Sequence, residues 1–513
     1  MSAEITNGKR IAKNTLLLYL RMIFLLGINL FTSREVLAAL GAIDFGIYNV
    51  VGGFVTMFTM ISGAMATATQ RFISFEIGRG ADGNVKAAFS TAVIIHVFLA
   101  LLVFCIAETI GLWFINTKMS FPPERYVAVN WVYQFSVVTF MINIISVPYN
   151  ASIIAYEKMA AFAYVSIFEA IAKLAIVYLI IWSPVDKLIL YASLLALVAI
   201  LVRIIYGFYC NKQFVECKCT WKSDKEIKKK MMSFVSWNLI GSLSGVLKEQ
   251  GINVLLNIFF GAAVNAARGL AFQVNNAIHG FVANFQIAMN PQIVKTYASG
   301  NKDDMFKIVF QGSKFSYMLL LTLSMPVIIE APYILNLWLK EVPEYTVIFL
   351  RLVMISALIE SFSGPLIASM HASGKVRDYQ IVVGGLSLLT LPFAYIVLKV
   401  YPEPYWAMVV GIVMAILCLF ARLYMLRRSI GLPVFLFLHS VCSVDLLITL
   451  LSSLIPILIY INLAEGFLSF IAVCIVCVVS TGSFSYVIGL NKKEKVIAKE
   501  KLYSILYKIR SRI

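Results

Sequence analysis

VPYNASIIAYEK, Val147–Lys158, has a counterpart further along the chain, GPLIASMHASGK, Gly364–Lys375. Pro148/Pro365, Ala151/Ala368, Ser152/Ser369, Ala155/Ala372 and Lys158/Lys375 match in one ungapped frame. Leu40-Gly41-Ala42 and Phe260-Gly261-Ala262 echo each other at nearly the same offset. The pattern points to an internal duplication. Between the copies lies CNKQFVECKCTWKSDKEIKKKM, Cys210–Met231, a polar gap in which seven residues are Lys.

Apolar runs of helix length surround this gap. Six lie near 12–32, 45–67, 88–114, 127–150, 160–181 and 188–209, and six more near 232–258, 264–290, 308–330, 346–370, 379–399 and 405–426. Two others follow near 436–461 and 466–489. The chain is 60% hydrophobic and 13% charged, about half the charge of a soluble domain. Its mean hydropathy is +0.87. Runs of ~20 apolar residues cross a bilayer as helices, because lipid leaves no other partner for the backbone. The expected fold is an all-α polytopic membrane protein of about fourteen spans. It divides into a six-helix lobe at 1–209, a basic linker at 210–231, a second lobe at 232–430, two additional helices at 431–490 and a basic tail at 491–513. Six spans per copy is an even number, so both copies share one topology. Parallel repeats of this kind place a substrate site at their interface.

The net charge of +17 does not call for nucleic acid, because loop sidedness accounts for it. Alternate loops with both termini hold 30 Lys/Arg, while the opposite loops hold Arg34, Lys118, Arg125, Lys187, Lys340 and Lys399. The positive-inside rule puts the first set and both termini in the cytoplasm. Trp113, Trp131, Trp182, Trp338 and Trp406 fall where an outer aromatic belt is expected. The first apolar run is not followed by a small-residue cleavage site, so it reads as a retained helix. The linker lysines read as an inside-retention signal and a contact for anionic membrane lipid, with a short interfacial helix at 223–230. The tail has the spacing of an amphipathic helix on the same lipid.

Most of the eight cysteines sit in apolar runs as small core residues. Cys217-x-Cys219 and Cys474-x-x-Cys477 lack partner pairs, so no metal is expected. The chain has no GxxxxGK[ST] loop, HExxH or GxSxG, and no cofactor or enzymatic activity is expected.

Charge within the spans carries the functional signal, since a cation at mid-bilayer costs about 2.5–3.5 kcal/mol on insertion scales. Arg21 shares a polar stripe with Asn14, Asn29 and Thr32 at 100° per residue. Asn265, Arg268, Asn275, Asn276, His279, Gln286 and Asn290 share an arc of about 100° on the eighth span. Asn238, Ser242, Glu249 and Asn253 line one side of the seventh, beside Lys248. Together these predict a wet cavity of positive character between the halves, with Arg21, Asn14, Asn29, Lys248, Arg268, Asn275, Asn276 and His279 binding substrate. Glu249 and Glu360 are candidates for coupling Na⁺ or H⁺. Pro148 and Pro365 are candidate hinges, because Pro frees a carbonyl and permits a bend.

NTLLLYLRMIFLLGINLFTSREVLAALGAIDFGIYNVVGGF (Asn14–Phe54), ATATQRFISFEIGRG (Ala66–Gly80) and VPYNASIIAYEK resemble the multidrug/oligosaccharidyl-lipid/polysaccharide superfamily, MATE-like proteins. More narrowly they are similar to polysaccharide and O-antigen repeat-unit flippases. The resemblance implies a bacterial cytoplasmic-membrane protein of polysaccharide and lipopolysaccharide biosynthesis, working beside assembly enzymes. Its cargo would be an undecaprenyl-diphosphate-linked oligosaccharide, flipped outward by alternating access. Lipid II flippases, similar in fold, have a basic first helix and a basic start to the eighth, places that Arg21 and Arg268 match by span. The remaining alternatives are a cation-coupled drug antiporter of the same superfamily and a membrane polysaccharide ligase or polymerase.

Overall fold

The computed structural model describes residues 2–56, 59–117, 121–218, 220, 224–339, 342–463, 466–491 and 494–496. The tail beyond 496 lies outside them. The described chain is helical, and its contacts separate it into two units. Unit 1 comprises 1–242 with 287–302, and unit 2 comprises 243–286 with 303–513.

Unit 1 contains α1 (Ser2–Thr56), α2 (Thr59–Gly78), α3 (Val85–Thr117), α4 (Pro123–Ala155), α5 (Met159–Ile181) and α6 (Lys187–Gln213). Helix α1 is broken at Gly41, whose φ of 76° no helix accommodates. Helix α4 packs on α6, α3 and α2, and α1 packs on α5. One apolar core gathers Phe89, Ile153, Val177, Val202 and Cys210, and a second gathers Val51, Val129, Tyr133 and Ile144.

Helices α7 (Lys225–Phe260) and α8 (Ala262–Ala298) each contribute to both units. Unit 2 continues with α9 (Lys302–Ile329), α10 (Ala331–Trp338), α11 (Thr346–Ser373), α12 (Val376–Val400), α13 (Trp406–Ile430), α14 (Val434–Asn462) and α15 (Phe467–Gly489). Its core gathers Leu256, Ala271, Phe349, Met354, Ala394 and Met414. Ten helices among the described residues are long and apolar enough to cross a membrane. Helices α7 and α8, of 36 and 37 residues, fall outside that set because amides and charges interrupt them. Adding these two, the first arm of α1, and its second arm continued by α2 gives the expected all-α, polytopic plan of about fourteen crossings.

The expected short helix at 223–230 is corrected: residues 225–230 are the first turns of the continuous α7. The Asp224 carboxylate accepts the amides of Glu226 and Ile227 and so starts that helix. Nothing in the sequence of the next turns would stop it.

The duplication is visible in the backbone. Left-handed residues recur in pairs: Gly41 with Gly261, Gly80 with Gly300, and Glu157 (φ 59°) with Gly374 (φ 74°). Lys158 and Lys375, which follow the last pair, have φ/ψ of −84°/55° and −86°/58°. Pro148 and Pro365 lie inside α4 and α11. Pro365 cannot donate to the Ser361 carbonyl four residues back. The Gln286 amide does so at 3.4 Å, and Ser313 donates to the next carbonyl, Phe362, at 2.9 Å.

Glu157 is the outlier of the repeat. Its side chain is 1% exposed, although a left-handed turn ordinarily takes Gly. Lys295 Nζ lies 2.6 Å from one carboxylate oxygen and Gln292 donates to the other at 2.7 Å. The Asn14 amide donates to its carbonyl at 3.3 Å. Close by in the sequence of contacts, a Cβ on Gly78 would stand 2.5 Å from the Lys295 carbonyl, so only Gly lets α2 approach α8 here.

At the start of α4, Arg125 pairs with Asp44 and Asp186, each at 2.6 Å. Burial pushes the Asp186 carboxyl up. Hydrogen bonds from Arg125 and from the Ile189 and Leu188 amides outweigh burial and hold it below its ordinary value. A depressed carboxylate stabilises the fold above its unfolded pKa of about 4, and that contribution is lost as pH falls through the folded value. Arg125→Met therefore costs about 1 kcal/mol at neutral pH, and thermal melting curves of mutant and wild type converge below about pH 4. A gap that stays constant down to acid would rule this out.

Candidate functional site

Gly261, with φ 81°, joins α7 to α8 in a single residue and turns the chain back on itself. That reversal brings the polar face of α7 against that of α8. Asn265 donates to the Asn253 carbonyl at 3.0 Å. Arg268 is 5% exposed. Its guanidinium donates to the Asn253 side chain and to Glu249 Oε2, the latter at 2.5 Å. It also lies over the Phe272 ring, 4.2 Å from the centroid. Lys248 Nζ stands 3.5 Å from Glu249 and 4.0 Å from Glu360 on α11.

Except for Lys248, these groups line a cavity of about 760 Å³ within unit 2, together with Asn275, Asn276 and His279. An adjoining hollow reaches Lys248, Thr390 and Met408. Across the cavity and the hollow together two cations and two carboxylates cancel, so the site is polar and locally neutral. The buried Asn265 and Asn275 side-chain oxygens have no hydrogen-bond partner among the described residues. Such acceptors are costly unless water or a ligand reaches them.

The remaining expected residues lie in unit 1. Arg21 is half-buried over the Phe162 ring, 4.4 Å from its centroid, with Tyr206 and Glu169 as electrostatic neighbours. Glu169 is itself paired with Lys173 at 2.6 Å. Asn14 is buried and engaged with the Glu157 carbonyl, while Asn29 is exposed. The eighth-span arc also divides. Gln286 leaves the cavity set to bond Ser316 and Ser361. Sequence reasoning missed Lys295 and Gln292 as partners of Glu157. The signal was available, since the second repeat has Gly374 where the first has a charge.

Membrane-length helices and a polar, partly unsatisfied cavity within unit 2 are the features of a polytopic transporter. The chain belongs to the polysaccharide biosynthesis protein family, whose model matches residues 11–297, and the MatE family model matches 239–396. These matches and the shared fold make it a MATE-like transporter of the MOP superfamily. An outward-facing multidrug resistance MATE family transporter of that superfamily is 13% identical, with a TM-score of 0.71 over 83% of this chain and 97% of that one. A mutant of the Vibrio cholerae MATE transporter VcmN is 14% identical, with a TM-score of 0.72 over 84% and 99%. A MOP superfamily transporter from Pyrococcus furiosus is 11% identical, with a TM-score of 0.62 over 81% and 96%. Its binding pocket is described as reversed in polarity, suggesting a different function. No curated protein matches the chain.

Proposed function

We propose that this transporter flips an undecaprenyl-diphosphate-linked oligosaccharide from the cytoplasmic to the outer leaflet by alternating access. The observation that carries the reading is the buried Arg268 beside Lys248 in an amide-lined cavity. A guanidinium fork matches phosphate oxygens, and a lysine adds a point charge. Asn275, Asn276 and His279 offer donors and acceptors suited to sugar hydroxyls. Arg21, within unit 1, is a further cation suited to an anionic group, with Asn14 and Asn29 on the same helix. Pro148 and Pro365 serve as the bends of the two lobes. The family match supports polysaccharide work.

In this reading the chain lies in the bacterial cytoplasmic membrane with both termini inside, supported by the loop charges. Membrane potential, negative inside, favours outward movement of anionic cargo by about 2.3 kcal/mol per charge per 100 mV. A cationic drug would need a free carboxylate in the cavity, but Glu249 already holds Arg268 and Lys248, and Lys248 also stands 4.0 Å from Glu360. Na⁺ or H⁺ acting at Glu249 or Glu360 would have to compete with those fixed cations. Lipids extracted from a deletion strain test the reading. The expected result is accumulation of a lipid-linked oligosaccharide in the inner leaflet and loss of surface polysaccharide. An unchanged lipid pool with lost dye efflux would instead support the drug antiporter.

A further inference from the structure

Asp445 belongs to α14, beyond the twelve helices of the duplication, and the cavity chemistry makes no use of it. Its side chain is completely buried. Neither carboxylate oxygen has a hydrogen-bond partner among the described residues. An ionised carboxylate stripped of water and donors is so unfavourable that such a group takes up a proton instead.

Among the described residues, the surroundings contain one means of compensating an ionised Asp445. Helix α9 presents Tyr317 and Lys314. The Tyr317 hydroxyl is occupied by Thr449 at 2.8 Å, and Thr449 in turn donates to the Asp445 backbone carbonyl at 2.8 Å. Cys442, one turn earlier on α14, and Tyr317 are neutral when protonated. Lys314 lies one turn from Tyr317 on α9 and Asp445 one turn from Thr449 on α14, so the Tyr317–Thr449 contact sets the ammonium and the carboxyl on neighbouring turns of packed helices. The Lys314 ammonium is committed elsewhere, 3.0 Å from Glu494, whose other oxygen accepts from Gln311 at 3.0 Å. The Lys314 and Glu494 side chains are only 11% and 10% exposed. One buried ammonium therefore faces two carboxylates, and it can neutralise only one.

We propose that Asp445 is a proton-binding site and that Lys314 exchanges between two carboxylates according to its occupancy. With a proton on Asp445, Lys314 pairs with Glu494. When Asp445 gives that proton up to water, Lys314 swings to it and Glu494 is released. Glu494 also accepts the Asn491 amide at 2.8 Å, which ties down the chain leaving α15. Proton binding in the two additional helices thus governs how firmly the Asn491 amide, just past α15, is held. The inference stands independently of the cargo.

Infrared spectroscopy of the purified full-length protein in lipid bilayers tests it. The wild type should show a protonated-carboxyl C=O band at neutral pH that Asp445→Asn abolishes. Glu494→Gln, a change in a group outside the spans, should also remove the band at neutral pH, because Lys314 is then free to ionise Asp445. Lys314→Gln should have the opposite effect and keep the band to higher pH. A spectrum unchanged by Asp445→Asn overturns the proton site, and a band that survives Glu494→Gln overturns the exchange.

Discussion

Arg268→Ala abolishes export while leaving membrane insertion intact. The wild-type guanidinium is buried, satisfies Glu249 and Asn253, and caps a cavity with unpartnered amide oxygens. Two hydrogen bonds from the fork to a phosphate, each worth about 1.5–3 kcal/mol, correspond to a loss of about 100-fold or more in export at tenfold per 1.4 kcal/mol. Arg268→Lys keeps the charge but loses the fork that spans Glu249 and Asn253, so it should recover only part of the activity. The measurement is the outward rate of lipid-linked oligosaccharide in membrane vesicles, normalised to inserted protein. Normal export by the Ala variant would remove Arg268 from the mechanism.

Lys295→Met produces the largest effect on stability. It leaves the Glu157 carboxylate buried without its ammonium partner, on a backbone already in the left-handed region. The expected cost is about 3–5 kcal/mol, read as a lowered melting temperature of the purified protein. Adding Glu157→Gly removes both the stranded charge and the left-handed strain, the latter worth about 1 kcal/mol. The double variant should therefore melt close to wild type. If Lys295→Met alone melts normally, the pair contributes nothing to the fold.

The duplication was legible because its identities cluster where the chain turns, around Lys158 and Lys375, and the backbone there repeats almost to the degree. Helical periodicity likewise exposed the polar arc of α8, since 100° per residue is set by geometry alone. What periodicity cannot supply is the partner. Arg268 reads as a free cation in the sequence, and only the reversal at Gly261 shows that Glu249 and Asn253 meet it. Lys295 reads as one more loop charge for the same reason. Asp445 is conspicuous in an apolar run, but its isolation follows from the commitment of Lys314 to Glu494, 180 residues from Lys314. The start of α7 was the opposite case. Asp224 announces a helix, and the lysines after it were read as a surface feature rather than as the first turns of a long one.

Duplication makes two turns of one design, and a single backbone position has since made them unequal. At Gly374 the turn has no side chain with which to hold anything. At Glu157 the same turn is clamped by an ammonium and an amide. Symmetry of construction therefore coexists with asymmetry of stiffness. One joint of the pair carries a side-chain clamp that its twin lacks, a difference that a change of one residue to Gly would erase.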